Sequence, residues 1–61
     1  MPLVHVKMHE GRSLDQKRAM VKKITEAVCE TAICKPESVI ITIEEMRKED
    51  HATAGVLVCD K

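Results

Sequence analysis

The sequence predicts a small α/β fold, a βαβ unit with two parallel strands followed by a short C-terminal β-hairpin. Three stretches predict it: an alternating segment at 2–8, an amphipathic segment at 13–33 and a β-branched run at 39–43. A strand, a helix and a strand within about 45 residues are typical of a crossover between neighbouring parallel strands. We therefore expect residues 1–61 to form a single domain.

The first strand is predicted from strict alternation. One face carries Pro2, Val4, Val6 and Met8, and the other carries Leu3, His5 and Lys7. This is the period of two that strand geometry requires. Gly11 is the natural place for the chain to turn away from the strand, because glycine accepts backbone angles that other residues resist.

The helix has a start signal, an apolar stripe and a stop signal. Ser13 and Gln16 have the spacing of a capping box, in which each side chain bonds the other residue's backbone. Apolar and small residues recur at helical spacing at Met20, Val21, Ile24, Ala27, Val28, Thr31 and Ala32. The helix should end near Ile33, because Pro36 disfavours helical geometry in the residue before it.

The second strand, at 39–43, is apolar on both faces, which is typical of a central strand in a covered sheet. One helix covers only one face, so the other face predicts self-association. Residues 44–50 are expected to leave the strand as a solvated loop. Residues 52–58 are expected to form a turn and a hairpin arm that reaches a neighbouring subunit.

Composition also indicates that this chain depends on partners of its own kind. The 61 residues contain no Phe, Trp or Tyr, so the side chains that bury most area are missing. A chain of this length buries only about 60% of its unfolded surface. We expect a marginal core and a second source of burial between copies.

Charge and cysteine usage argue against several classes of partner. Ten basic and ten acidic residues give a net charge of zero, which provides no field for nucleic acid or an anionic membrane surface. Cys29, Cys34 and Cys59 lack the spacing of a metal site or a disulfide framework, so a cytoplasmic chain is expected. No apolar run approaches the roughly 20 residues needed to cross a bilayer. His5 and His9 do not share a helical face, and no metal site is predicted.

Pro2 and Arg12 are the candidate reactive residues. If Met1 is removed, Pro2 presents a secondary amine, and an amine that is neutral near pH 7 is an effective general base. Arg12 can hold a carboxylate or a developing enolate oxygen. Taken alone, these two residues favour the ordinary interpretation, in which Pro2 is a common second residue and Arg12 a loop cation.

A resemblance to a known family favours the reactive interpretation of Pro2 and Arg12 instead. The run from Pro2 to Ser13, the following Asp15-Gln16-Lys17, the Glu44-Glu45-Met46 segment and the Ala54-Gly55 turn closely resemble the 4-oxalocrotonate tautomerase family over essentially the whole chain. The resemblance implies a tautomerase-like fold assembled as a homohexamer, a trimer of dimers. It also implies an amino-terminal proline acting as general base without metal or organic cofactor.

By position, the resemblance assigns catalysis to Pro2 and substrate-carboxylate binding to Arg12. Family members that act on dicarboxylate dienols carry a second arginine where this chain has Ile40, and a pocket aromatic where it has His51. His51 is a candidate substrate contact or a half-exposed loop histidine. A neighbour's Arg47 could replace the missing arginine, although a solvated loop arginine is the commoner outcome, and Lys17 could face the site or extend along the surface.

The resulting expectation is a cofactor-independent keto–enol tautomerase acting on a small 2-hydroxy-dienoate or 2-oxo acid. Pro2 would move the proton and Arg12 would anchor the carboxylate. Two alternatives remain open at this point. One is hydration, dehalogenation or decarboxylation of a small unsaturated acid on the same scaffold, and the other is a self-associating module without activity.

Overall fold

The computed structural model describes all 61 residues and confirms the predicted order of elements. The elements are β1 (Leu3–His9), α1 (Leu14–Ala32), β2 (Ile40–Met46) and the hairpin strands β3 (Ala52–Thr53) and β4 (Val56–Leu57), with short 3-10 turns at Pro36–Ser38, Lys48–Asp50 and Val58–Asp60. Strands β1 and β2 are parallel neighbours, in a register that runs from Leu3 opposite Ile40 to His9 opposite Met46. This is the βαβ unit with a C-terminal hairpin.

Helix α1 begins and ends where its sequence signals predict. The Ser13 hydroxyl accepts from the Gln16 amide at 3.1 Å, and the Gln16 side chain accepts from the Ser13 amide at 2.8 Å. Both bonds of the capping box are therefore made. At the other end Ile33 adopts a left-handed conformation, with φ 51°, and the Cys34 amide bonds the Cys29 carbonyl at 3.4 Å.

Strand β2 corrects two details of the prediction. It continues to Met46 instead of ending at Ile43, because its polar residues find partners on the two sides of the sheet: Glu44 bonds His5 and Glu45 pairs with Lys17. It is also not central. Within the chain it has one neighbour, β1, so its predicted covered position does not exist in a single subunit.

The hairpin turns through two residues with positive φ, Ala54 at 53° and Gly55 at 81°. This is the pattern of a type I′ turn, whose twist matches two antiparallel strands. Thr53 and Val56 are paired directly before and after it. The tight connection predicted for this segment is confirmed.

No residue of the isolated chain is buried. Its accessible area of 4816 Å² exceeds the roughly 4,000 Å² of a compact protein of this mass. Its radius of gyration of 14.7 Å exceeds the roughly 10–11 Å expected of a compact chain of this length. Large apolar side chains are exposed on the uncovered sheet face, including Leu3, which is 70% exposed. The subunit therefore lacks a closed core of its own.

No helix of the structure combines the length and the apolarity that crossing a membrane would require.

Candidate active site

Pro2 lies half-buried immediately before β1. Its carbonyl accepts a hydrogen bond from the Ile40 amide at 3.0 Å, which ties it to the first residue of β2. Met1 is 88% exposed. Because Pro2 is held through its carbonyl and not through Met1, losing Met1 would leave the ring in place and free its nitrogen.

Arg12 follows the opposite end of β1, beyond the turn at Gly11, whose φ is 121°. It lines a small cavity of about 170 Å³ together with Met8, Gln16, Lys17 and Met20. Arg12 makes no ion pair within the chain, whereas Arg18 pairs with Asp15 and Arg47 with Glu49 and Asp50. Its guanidinium is therefore the one that remains free to bind an external carboxylate.

Lys17 borders the same cavity and is bonded to Glu45 on β2. Both side chains are partly shielded, with 24% and 32% of their surface exposed. The carboxylate of Glu45 balances the charge of Lys17. Lys17 therefore supports one wall of the cavity, and Arg12 is the cation of the cavity that has no carboxylate partner.

The structure does not bring Pro2 and Arg12 together within one chain. They flank the seven residues of β1, and at about 3.3 Å per residue such a strand is about 20 Å long. A carboxylate held by Arg12 is thus out of reach of Pro2 in the same subunit. A site that uses both residues must be assembled from two copies of the chain.

Ile40 occupies the place beside Pro2. It is directly opposite Leu3 in the sheet register, and its side chain is 42% exposed. The isoleucine side chain provides apolar contact but neither charge nor hydrogen bond, so this position places no cation near Pro2.

His51 lies between the turn after β2 and strand β3, and its ring meets the ring of His9. His9 Nε2 and His51 Nδ1 are 2.8 Å apart, and the ring centroids are separated by 4.9 Å. The sequence nominated His51 but gave no indication of this pairing, since 42 positions separate the two residues. The end of β1 that leads to Arg12 therefore also carries an imidazole pair.

Arg47 is held by carboxylates of its own turn. Its Nε donates to Asp50 at 2.9 Å, and it pairs with Glu49 at 3.1 Å. The hydrogen bond raises the pKa of Arg47 and lowers the pKa of Asp50. These contacts favour the solvated-loop interpretation of Arg47 over a role as a replacement arginine.

Cys29 and Cys34 lie together where α1 ends, and Cys59 is exposed. Partial burial, followed by a hydrogen bond with Cys34, raises the pKa of the Cys29 thiol. A raised pKa keeps that thiol protonated and weakens it as a nucleophile. No group of three or more potential metal ligands gathers anywhere in the structure.

The two ends of β1 thus carry a proline, whose ring nitrogen would become a basic amine without Met1, and a free guanidinium next to an imidazole pair. Such a fold with such residues is compatible with a small enzyme that moves protons on an acidic substrate. The comparisons with known proteins specify it further. The family model described as tautomerase enzyme matches residues 2–61.

The similar proteins cover the chain from end to end. A 2-hydroxymuconate tautomerase of Bacillus subtilis is 52% identical over 60 residues, which is 98% of this chain and 97% of that protein. A probable tautomerase of Halalkalibacterium halodurans is 49% identical over 61 residues, all of both chains. The crystal structure of YwhB, a homologue of 4-oxalocrotonate tautomerase, superposes with a TM-score of 0.94 at 50% identity, covering 98% of each chain.

The chain belongs to the tautomerase family. It is an isomerase that interconverts keto and enol forms, and its βαβ-plus-hairpin subunit is the tautomerase fold. This assignment decides against the alternative of a self-associating module without activity.

Proposed function

We propose that Pro2, freed by removal of Met1, is the general base of the tautomerisation. Its amine takes the proton from the enol hydroxyl of a 2-hydroxy-dienoate, or from the carbon beside the carbonyl of a 2-oxo acid. The anion that forms takes the proton up at a different atom: a carbon when the proton came from the enol hydroxyl, and another atom of the conjugated system when it came from carbon. The proton is conserved and no electrons are exchanged, so the reaction needs no cofactor.

In this proposal Arg12 of a second subunit binds the substrate carboxylate and stabilises the charge of the dienolate. Its planar fork matches a carboxylate, and a charge-assisted bond of this kind contributes about 1.5–3 kcal/mol. The observation that carries the proposal is that Arg12 is the one arginine free of intrachain carboxylates and lines a cavity at the end of β1 away from Pro2.

The substrate preference follows from Ile40. Without a cation beside Pro2, a second carboxylate at that end of the substrate would be left without a partner. We therefore propose one firmly bound carboxylate and inefficient turnover of dicarboxylates. His51 is the further substrate contact, and its neighbour His9 is considered below.

The proposed assembly is a homohexamer built as a trimer of dimers, acting in the cytoplasm as a single domain of 61 residues. Its support is the absence of buried residues and the exposed sheet face, which copies of the same chain would cover. The resemblance to the 4-oxalocrotonate tautomerases supplies the subunit number.

Intact mass and one substitution test the proline mechanism. Mass spectrometry of the protein purified from cells should show that Met1 is absent. Ketonisation of a 2-hydroxy-dienoate, followed by ultraviolet absorbance, should slow by about two to four orders of magnitude in Pro2→Ala, as expected for loss of a general base. The matched control is Pro36→Ala, a substitution of the other proline in the chain, and this variant should keep the wild-type rate. Complete retention of Met1, or equal rates for wild type and Pro2→Ala, would refute the mechanism.

A further inference from the structure

The imidazole pair joins two elements that are distant in sequence. His9 is the last residue of β1, and His51 directly precedes β3. Both are half-buried, and their rings are tilted by 46° with the facing nitrogens 2.8 Å apart. A contact of this length is a hydrogen bond, and it fixes how the His51 ring is turned.

The bond occupies one nitrogen of each ring and leaves the other free. Within the chain, neither His51 Nε2 nor His9 Nδ1 makes a hydrogen bond, since the only bond of the pair joins His9 Nε2 to His51 Nδ1. His5 differs, because its Nδ1 contacts Thr42 at 2.7 Å and its Nε2 contacts Glu44 at 3.1 Å. The His9–His51 pair thus has bonding capacity to offer to a ligand, and His5 does not.

The shared bond also couples the tautomers of the two rings. In a neutral imidazole one nitrogen carries the hydrogen and the other accepts. If His9 Nε2 donates to His51 Nδ1, then His51 must carry its hydrogen on Nε2, the free position. Without His9, either His51 nitrogen could carry the hydrogen, and the free position would be a donor for only part of the time.

We propose that His9 is a positioning residue for His51, which directs the His51 Nε2–H toward a substrate oxygen distant from the carboxylate bound by Arg12. The inference rests on the proposed function, in which His51 contacts the substrate. It makes the enzyme selective for substrates with a neutral oxygen-bearing group at that end over substrates with an apolar end.

Two cations near the imidazole pair are already bound by carboxylates, so they do not compete with His51 for the substrate oxygen. Arg47 is bound by Glu49 and Asp50, and Lys17 is bound by Glu45. His9 precedes Arg12 by only three positions, so the pair and the carboxylate anchor lie at the same end of β1.

Kinetics on two substrates test the proposal. The substrates are a 2-hydroxy-dienoate with a distal amide group, whose oxygen can accept a hydrogen bond, and one with a distal methyl group. His9→Leu should lower kcat/KM about tenfold on the first, as expected for losing one hydrogen bond, and less than twofold on the second. His9→Gln should retain most of the rate, because its amide can donate from the same place. His9→Leu combined with His51→Leu should be no slower than His51→Leu alone, since His9 acts only through His51.

The matched control is His5→Gln, in the histidine with no free ring nitrogen, and it should leave the ratio of the two substrates unchanged. Equal losses on both substrates in His9→Leu, without recovery in His9→Gln, would indicate a structural role and overturn the proposal. Thermal unfolding of each variant identifies a folding defect, and His9→Gln keeps the test decisive if His9→Leu does not fold.

Nitrogen NMR of the histidine side chains provides a readout that does not depend on catalysis. His51 should hold its hydrogen on Nε2 in the wild type and populate both tautomers in His9→Leu. A wild-type His51 with its hydrogen on Nδ1, or a tautomer that does not respond to His9→Leu, would overturn the inference. Failure of the proposed function has a different signature, since Pro2→Ala would then match the wild type whatever the state of His51.

Discussion

At the scale of single residues, Ile40 is the position that most directly limits the substrate. Its amide holds the Pro2 carbonyl at 3.0 Å, and its side chain is partly exposed, so a longer side chain has room. Ile40→Arg should raise kcat/KM for a dicarboxylate dienol about ten- to a hundredfold, because one charge-assisted contact contributes about 1.5–3 kcal/mol. The comparison is a monocarboxylate dienol, which should gain little.

Ile40→Met adds length without charge and serves as the control for this substitution. Equal improvement on both substrates, or the same gain in Ile40→Met as in Ile40→Arg, would show that the second carboxylate is not the group that the new arginine reaches.

Arg47 is expected to be dispensable for the reaction. Its guanidinium is engaged by Glu49 and Asp50, so Arg47→Ala should keep the dienol rate within about twofold. Steady-state kinetics at saturating and limiting substrate check this. A loss of tenfold or more in kcat/KM would show that Arg47 enters the site in the assembled protein.

The Arg47–Asp50 contact should instead appear in the pH dependence of stability. Because the fold lowers the pKa of Asp50, its contribution is present at neutral pH and is lost as the pH falls below about 4 and through the lowered pKa. The small difference in urea midpoint between wild type and Asp50→Asn should shrink steadily as the pH is lowered from neutrality through the acid range. Asp60→Asn, whose carboxylate has no arginine partner, is the control, and a difference that persists in acid would contradict this assignment.

The sequence nominated Pro2, Arg12 and His51 through resemblance, and their roles remain predictions. The role of Arg12 as the free guanidinium could not be read from the sequence, because it depends on which carboxylates fold back onto the other two arginines. The partner of His51 was missed for the same physical reason. Histidines 42 positions apart meet only through the register of β1 and the path of the turn before β3.

At the scale of elements, the end of α1 contains a correctable strain. Ile33 is 89% exposed and has a φ of 51°, although a β-branched residue strongly resists left-handed geometry. Ile33→Gly should therefore stabilise the fold by about 1 kcal/mol. This net value is the strain energy that glycine relieves, reduced by the larger conformational entropy that glycine gives the unfolded chain. Urea unfolding at a fixed protein concentration measures the change.

Thr31→Gly, two residues earlier and inside α1, should destabilise by about 0.5 kcal/mol, because glycine is a poorer helix former than threonine and the bond from the Thr31 hydroxyl to the Ala27 carbonyl is lost. If Ile33→Gly destabilised the assembly by a similar amount, the exposed isoleucine would be making contacts with another subunit that outweigh its strain.

The elements show where local patterns suffice to predict a fold. The capping box, the apolar stripe and Pro36 located both ends of α1, and the Ala54-Gly55 pair located the hairpin turn. The end of β2 was misplaced because Glu44 and Glu45 look like loop residues when read locally. Their side chains are accommodated by His5 and Lys17, residues that only the parallel pairing and the helix bring to them.

At the scale of the whole molecule, the flat shape of 43 × 24 × 13 Å and the absence of buried residues agree with the marginal core predicted from composition. The β-branched run of β2 was interpreted as covered on both faces, and within one chain the second face has no cover, so its burial remains a prediction about the assembly. Sedimentation at micromolar concentration should show an assembly of about six chains, because the exposed sheet face needs partner surface. A compact monomer would contradict the assembly.

The separation of Pro2 and Arg12 along β1 leads to the most direct test of a shared site. Pro2→Ala and Arg12→Ala should each be nearly inactive, since each removes one half of every site. If the two are unfolded together, mixed and refolded, about one site in four should combine an intact Pro2 from one chain with an intact Arg12 from the other, as expected for random pairing across interfaces. The dienol rate of the mixture should therefore recover to about a quarter of the wild-type rate. Refolding each variant alone is the control and should recover nothing. If the mixture stays inactive while sedimenting like the wild type, Pro2 and Arg12 of the same chain must act together. That outcome would contradict the shared site, because β1 holds the two residues too far apart within one chain.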